Sequence, residues 1–203
     1  MAEICFISLG NDCSVSYQLR KLGLQKYGTM PFDWMKIENL KNVIAILENE
    51  FKNIANFECY EVKKQSLEAF NYFISNKESQ ESQESQVIKS QKKLVHKEYK
   101  FILPHEYKNE SINIMEFQDK YSRRIKRFLE IGRNQDIKKI FVRCGNKKEI
   151  ILESSLQCIL DKLGIVHYEI KFIILEEWEK FIPKDKPFSW HRDYIPWHDL
   201  LIH

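Results

Sequence analysis

The stretch Ile137-Lys138-Lys139-Ile140-Phe141-Val142, then residues 149–163, Gly164 and Tyr168-Glu169-Ile170-Lys171-Phe172-Ile173-Ile174-Leu175, decides the fold. Its two ends are short apolar runs rich in β-branched and aromatic residues, the composition of strands. Between them, residues 149–163 carry apolar side chains at helical spacing and stop at Gly164, a natural helix terminator. Upstream, Ile114, Phe117, Tyr121, Ile125, Phe128 and Leu129 make one stripe opposite Arg123, Arg124, Lys126 and Arg127, which predicts an amphipathic helix over 114–131. Residues 99–103 read as a strand ending at Pro104-His105. Strand, helix, strand, helix, strand in succession is the pattern of a parallel sheet with crossover helices. The expectation is an α/β fold: a single domain over residues 1–203, with a largely parallel Rossmann-like sheet flanked by helices.

The N-terminal end adds a strand and delivers a nucleophile. Ile4-Cys5-Phe6-Ile7 runs into the polar turn Ser8-Leu9-Gly10-Asn11-Asp12-Cys13-Ser14. Val15, Leu19 and Leu22 then mark a helix that breaks at Gly23, with Asn11 or Asp12 as its N-cap. Ligands of open α/β sheets bind beyond the carboxyl ends of strands, where this turn would sit. Cys13 would be residue N1 or N2 of the helix. Unpaired N–H groups and the helix dipole there favour a thiolate, which predicts a pKa below the free-thiol value of about 8.5. The N–H groups between Asn11 and Ser14 would hold a developing oxyanion. The plainer alternative is a buried cysteine filling a gap under the turn.

Between these ends, Gly28-Thr29-Met30-Pro31 reads as a turn, and Asp33 can cap a second helix built on Ile37, Leu40, Val43, Ile44 and Leu47. A short element is expected over 65–74. Glu78-Ser79-Gln80, Glu81-Ser82-Gln83 and Glu84-Ser85-Gln86 repeat within a tract too polar to offset the entropy of ordering, so 75–93 reads as a low-complexity insertion, a mobile surface loop.

Composition narrows the function. The 203 residues carry 32 basic and 29 acidic side chains, a net charge of +3 that gives no reason to expect nucleic acid or an acidic membrane as partner. No run of about 18 apolar residues and no leader pattern are present, so a soluble, cytoplasmic protein is expected. Five cysteines at irregular spacing predict reduced thiols; Cys5, Cys144 and Cys158 lie in apolar runs and read as core residues. Nucleotide loops and metal-ligand spacings are missing, so neither a cofactor nor a metal is implied.

A thiol nucleophile needs a base. His96, His167 and His203 read as solvent-facing, whereas His105 follows a strand and a proline and is rigidly placed. His191 and His198 are the alternatives, in the site-like run Trp190-His191-Arg192-Asp193-Tyr194-Ile195-Pro196-Trp197-His198-Asp199, although an aromatic lid packing Trp190, Tyr194 and Trp197 over the core is the readier reading of that run. The group that orients the imidazole would be Asp33 or Glu106. Arg143, at a strand's end, would clamp a carboxylate or phosphate, with Lys147 and the basic helix as a weak phosphate site.

Several motifs carry a resemblance: Ser8-Leu9-Gly10-Asn11-Asp12-Cys13, the run from Tyr17 to Leu24, Pro31-Phe32-Asp33-Trp34, Leu103-Pro104-His105-Glu106-Tyr107, and Tyr121 to Phe128 followed by Ile140-Phe141-Val142-Arg143. Together they resemble a family of uncharacterised domains described as papain-like cysteine peptidases. The resemblance implies Cys13 as nucleophile and His105 as base, and an α+β papain-like fold as the alternative to the alternating one. The expected function is thus a cysteine-dependent hydrolase or acyl transferase acting on a peptide, amide or ester. Cys13, His105 and Asp33 would be its catalytic residues, and Gly10, Asn11, Ser14, Trp34 and Arg143 would hold the oxyanion or the substrate. Two rival classes stand beside it: a Rossmann-like transferase binding a nucleotide-linked or phosphorylated ligand, and a non-catalytic interaction module.

Overall fold

The computed structural model describes residues 3–64, 92–106, 111–184 and 191–202. The element expected over 65–74, most of the insertion over 75–93 and Trp190 lie outside the described residues.

Three parallel strands, β1 (Glu3–Ser8), β5 (Ile137–Gly145) and β6 (Tyr168–Ile174), form a sheet in the order β1-β5-β6. The register pairs Phe6 with Ile140, Ile7 with Phe141, and Phe141 in turn with Ile170. Both faces of this sheet are covered, which is why β1 and β5 read as continuous apolar runs rather than alternating ones. Side chains of odd and even positions enter different cores. Ile7 and Phe141 join Phe32, Phe51, Tyr121 and Phe128 on one face. Phe6, Ile140, Val142 and Ile173 join Val15, Leu19, Ile195, Trp197 and Leu201 on the other.

Helices supply the covering layers. α1 (Ser14–Lys21) lies against β1 and β5, and α2 (Leu40–Glu48) packs on α4 (Glu153–Lys162). α3 (Ile114–Arg133) runs 20 residues, begins at Asn113, whose side chain accepts the Glu116 N–H, and buries Phe117, Tyr121 and Phe128. Two short helices, α5 (Leu175–Trp178) and α6 (Trp197–Ile202), follow β6. The fold is α/β, as the alternation of the second half predicts.

Several local expectations are corrected. α2 begins at Leu40, not near Asp33, because Asn39 accepts the Lys41 N–H at 2.9 Å and is its cap. Residues 147–152 form a 3-10 turn ahead of α4. The strand expected over 99–103 shrinks to β4 (Ile102–Leu103), the last strand of an antiparallel sheet with β2 (Tyr60–Lys64) and β3 (Lys92–His96). Lys92 and Lys93, assigned above to the insertion, are therefore strand residues. His96, expected at the surface, is buried among Tyr60, Tyr99 and Phe101. Cys5 and Cys144 are core residues, but Cys158 is exposed, since it falls on the outer side of α4.

Candidate functional site

The site is assembled where β1 ends. Leu9 still follows the ladder, its N–H donating to the Val142 carbonyl at 2.9 Å, and the chain then turns through Gly10 (φ +75°) and Asn11 (φ +96°). Glycine is required at the first of these: the backbone is left-handed, and a Cβ there would meet Ile37 Cδ1 at 3.3 Å. The turn places Cys13 directly before α1, as its N-cap rather than N1 or N2.

A short relay of backbone hydrogen bonds brings the second half of the site to this turn. The Asn11 carbonyl accepts the Ile37 N–H at 2.9 Å, and Lys36 exchanges two 2.9 Å bonds with Ile102 in β4. Two residues after Leu103, His105 arrives with its Nε2 3.5 Å from Cys13 Sγ. Its ring meets Trp34 nearly at right angles, centroids 6.1 Å apart, and the Arg20 guanidinium lies over the Trp34 ring, 5.2 Å from its centroid. Next in sequence, Glu106 accepts the Tyr121 hydroxyl at 3.0 Å and is paired with Lys120, which fastens the His105 turn to α3.

Electrostatics at the pair differ from the expectation drawn from the helix N-terminus. Burial, with the Asp12 carboxylate beside it, pushes the Cys13 thiol up to about 12 instead of below the ordinary value. Burial pushes the His105 imidazole down. Both groups rest neutral near pH 7. The helix end is also less open than expected, because Asp12 Oδ1 accepts the Ser14 N–H at 2.8 Å and Ser8 Oγ accepts that of Gly10 at 3.1 Å. The N–H groups of Asn11, Asp12 and Cys13 find no acceptor among the described residues.

Two expected site residues are placed in other work. Asp33 is buried, and its oxygens accept from Ser16 Oγ (2.8 Å), Gln25 Nε2 (2.7 Å) and the Met30 N–H (2.6 Å). It folds its own turn and makes no bond to His105; Trp34 is the group that packs on the imidazole. Arg143 is 0% exposed and makes four hydrogen bonds. Its Nε and Nη2 hold Glu149 at 2.8 and 2.7 Å, and Nη1 donates to the carbonyls of Leu9 (3.2 Å) and Ile37 (3.0 Å). Four of its five N–H donors are taken and the side chain is sealed from solvent, so it is not open to a ligand, which removes the main support for a phosphate-binding transferase. A side chain at position 145 would collide with the Glu149 carboxylate, so glycine there is part of the same arrangement.

The alternative bases lie elsewhere. His191 stacks on Tyr17 with centroids 4.3 Å apart, and exposed His198 sits 3.3 Å from Asp199. What sequence reasoning missed is Arg192, whose Nη2 lies 2.6 Å from Asp12 Oδ2; only the density of polar and aromatic side chains in that run hinted at it. Beside His105 opens a cleft of about 550 Å³, lined also by Glu106, Ile112, Glu116, Phe117 and Arg123. Its size suits a short peptide segment or a small ligand.

Comparison with known proteins gives a consistent result. The model of a family described as "Putative papain-like cysteine peptidase" matches residues 4–183. An uncharacterised protein of Acanthamoeba polyphaga mimivirus is 27% identical over 223 aligned positions, which cover 98% of each chain. No solved structure matches the chain.

Proposed function

The chain belongs to the family described as "Putative papain-like cysteine peptidase", and from that premise we propose a cysteine-dependent hydrolase of peptide, amide or ester bonds in which Cys13 attacks and His105 is the base. The observation that carries this reading is the 3.5 Å approach of Sγ to Nε2 at the carboxyl end of a parallel strand.

Because the pair rests neutral, the chemistry is general-base catalysis rather than attack by a standing thiolate. Nε2 must be the unprotonated nitrogen, with the ring proton on Nδ1. As Sγ bonds to the substrate carbonyl carbon, its proton passes to Nε2, and the carbonyl oxygen takes up the negative charge. The N–H groups of Asn11, Asp12 and Cys13, without an acceptor among the described residues, are the donors suited to that oxyanion. The imidazolium then gives its proton to the leaving amine or alcohol as the carbon–nitrogen or carbon–oxygen bond breaks, leaving a thioester on Cys13. Water, deprotonated by His105, cleaves the thioester and the thiol is restored. A thiol or amine acceptor in place of water would make the same site an acyl transferase. The cleft beside His105 is the candidate place for substrate.

The test is turnover of a peptide and ester panel by the wild type, Cys13→Ser and His105→Ala. Losing the base should cost about 10²–10⁴-fold in kcat, and Cys13→Ser should abolish detectable turnover with the fold retained by circular dichroism. Undiminished turnover in either variant refutes the assignment.

A further inference from the structure

We propose that Arg192 is a positioning residue for the Cys13 thiol, acting through Asp12, whose carboxylate it holds and screens beside the nucleophile. The proposal rests on reading Cys13 as that nucleophile. Arg192 Nη2 lies 2.6 Å from Asp12 Oδ2, and the two side chains are only 16% and 21% exposed. The other Asp12 oxygen accepts the Ser14 N–H, so this carboxylate is fixed between an arginine and the first turn of α1, one residue before Cys13. Arg192 Nη1 is 3.3 Å from Cys144 Sγ in β5, which sets the guanidinium against the strand's end.

The backbone is shaped to put the arginine there. Arg192 is left-handed (φ +53°), a conformation that a non-glycine residue keeps only where its surroundings enforce it. Here they do. The Ile195 N–H and Trp197 Nε1 donate to the Arg192 carbonyl at 3.0 and 2.8 Å. Gln18 of α1 donates to the His191 carbonyl at 2.6 Å and to Asp193 Oδ1 at 2.8 Å, on either side of it. This arm lies beyond residue 183, where the family match ends, so the part of the chain that marks the family does not include it.

The consequence follows from charge. The titratable groups around the Cys13 thiol are Asp12 in its own turn, His105 from the β4 side, and, reached through Asp12, Arg192, Cys144 and Tyr194. An unscreened Asp12 carboxylate would make the thiol still harder to ionise. Because the thiol is protonated at pH 8.5, its alkylation slows as the thiolate fraction falls. Each tenfold loss of thiolate slows the reaction about threefold, the more basic thiolate being the better nucleophile.

Site-resolved alkylation of the full chain by iodoacetamide at pH 8.5 tests this. Arg192→Ala and Arg192→Gln should each slow Cys13 about threefold, Arg192→Lys should react like wild type, and Asp12→Asn should react faster. In the Asp12→Asn background, Arg192→Gln should have no further effect. Wild-type or faster alkylation in Arg192→Gln overturns the proposal and leaves the arm a structural strap, whether or not Arg192→Ala folds. The measurement reads the thiol itself, so arginine-dependent alkylation without peptidase turnover would sink the hydrolase reading, and with it Cys13 as nucleophile, and leave only the control of the thiol's ionisation by Arg192 standing.

Discussion

At Cys13 two influences on the thiol oppose each other. The start of a helix favours the anion, typically by 0.3–1 kcal/mol at exposed sites, whereas removing a charge from water costs several kcal/mol. Burial wins, the more so because Asp12 has already taken the Ser14 N–H and brings its own negative charge. None of this is readable from the pattern strand, glycine, cysteine, helix, which gives the placement of Cys13 but not its depth. The position of His105 is readable from a strand followed by proline; the surroundings of Asp33 are not, because its three donors, Ser16, Gln25 and Met30, face it only after the turn has folded. The neutral pair has a pH signature. His105 must be unprotonated to act, and burial holds its folded-state pKa below the ordinary 6.5. Activity should therefore persist as pH falls through 6.5 and be lost only below it, at the lowered pKa. With the thiol pushed up to about 12, kcat/KM should show no alkaline decline between about pH 7 and 9, where loss of an imidazolium partner would appear in a thiolate–imidazolium enzyme. A pH profile of kcat/KM on any substrate found decides between them; a bell with its alkaline limb in that range would mean a standing ion pair.

Among the elements, periodicity was a good guide where neighbours in sequence are neighbours in space. α3, α4, β5 and β6 each carry their signal locally, and their boundaries fall within a few residues of expectation. The antiparallel sheet does not. β2 is Tyr60-Glu61-Val62-Lys63-Lys64, buried only at Tyr60, and β3 offers three buried residues, so neither alternates visibly; their pairing is long-range and separated by a polar tract. Arg143 shows the same limit in one side chain. A charged residue at a strand's end resembles a ligand clamp until its partner Glu149 and the carbonyls of Leu9 and Ile37 are seen. Glu149 also accepts the Leu40 N–H at 2.8 Å, so one buried ion pair ties the end of β5 to the end of β1 and the start of α2. Removing one partner strands a buried charge, which typically costs 3–5 kcal/mol. Glu149→Ala should thus destabilise the protein by about that amount, measured by urea denaturation. Arg143→Met with Glu149→Leu should recover a large part of the loss, because no uncompensated charge remains. Equal losses in the single and double variants would mean that the hydrogen bonds to Leu9 and Ile37, not the charge pair, hold the junction.

For the molecule as a whole, the decisive fact is that a sheet of only three strands is buried on both faces. The first face is closed by α2, α3, α4 and the segment from Met30 to Ile37, all inside the span that marks the family. The second has α1 and the C-terminal run 191–202, which the sequence presents as a cluster of aromatic and polar residues that reads more readily as a lid than as a site. It is both a cover and, through the contact of Arg192 with Asp12, a neighbour of the Cys13 turn. Ile195, Trp197 and Leu201 are at most 3% exposed and pack on Phe6, Val15, Leu19, Ile140 and Ile173. Burying a large apolar side chain contributes roughly 1.5–3 kcal/mol, so these three account for about 5–9 kcal/mol. That is comparable with the entire stability of a typical domain, about 5–15 kcal/mol. A chain truncated after Lys184 keeps the residues that identify the family yet should lose its cooperative thermal transition, bind a hydrophobic dye, and lose the slow exchange of amide protons in β1 and β5. Trp197→Ala, at about 3–5 kcal/mol, should lower the melting temperature while leaving the transition cooperative. A truncated chain that still melts cooperatively near the wild-type temperature would show that the first core alone sustains the sheet, and that the C-terminal run is an accessory laid on a finished fold.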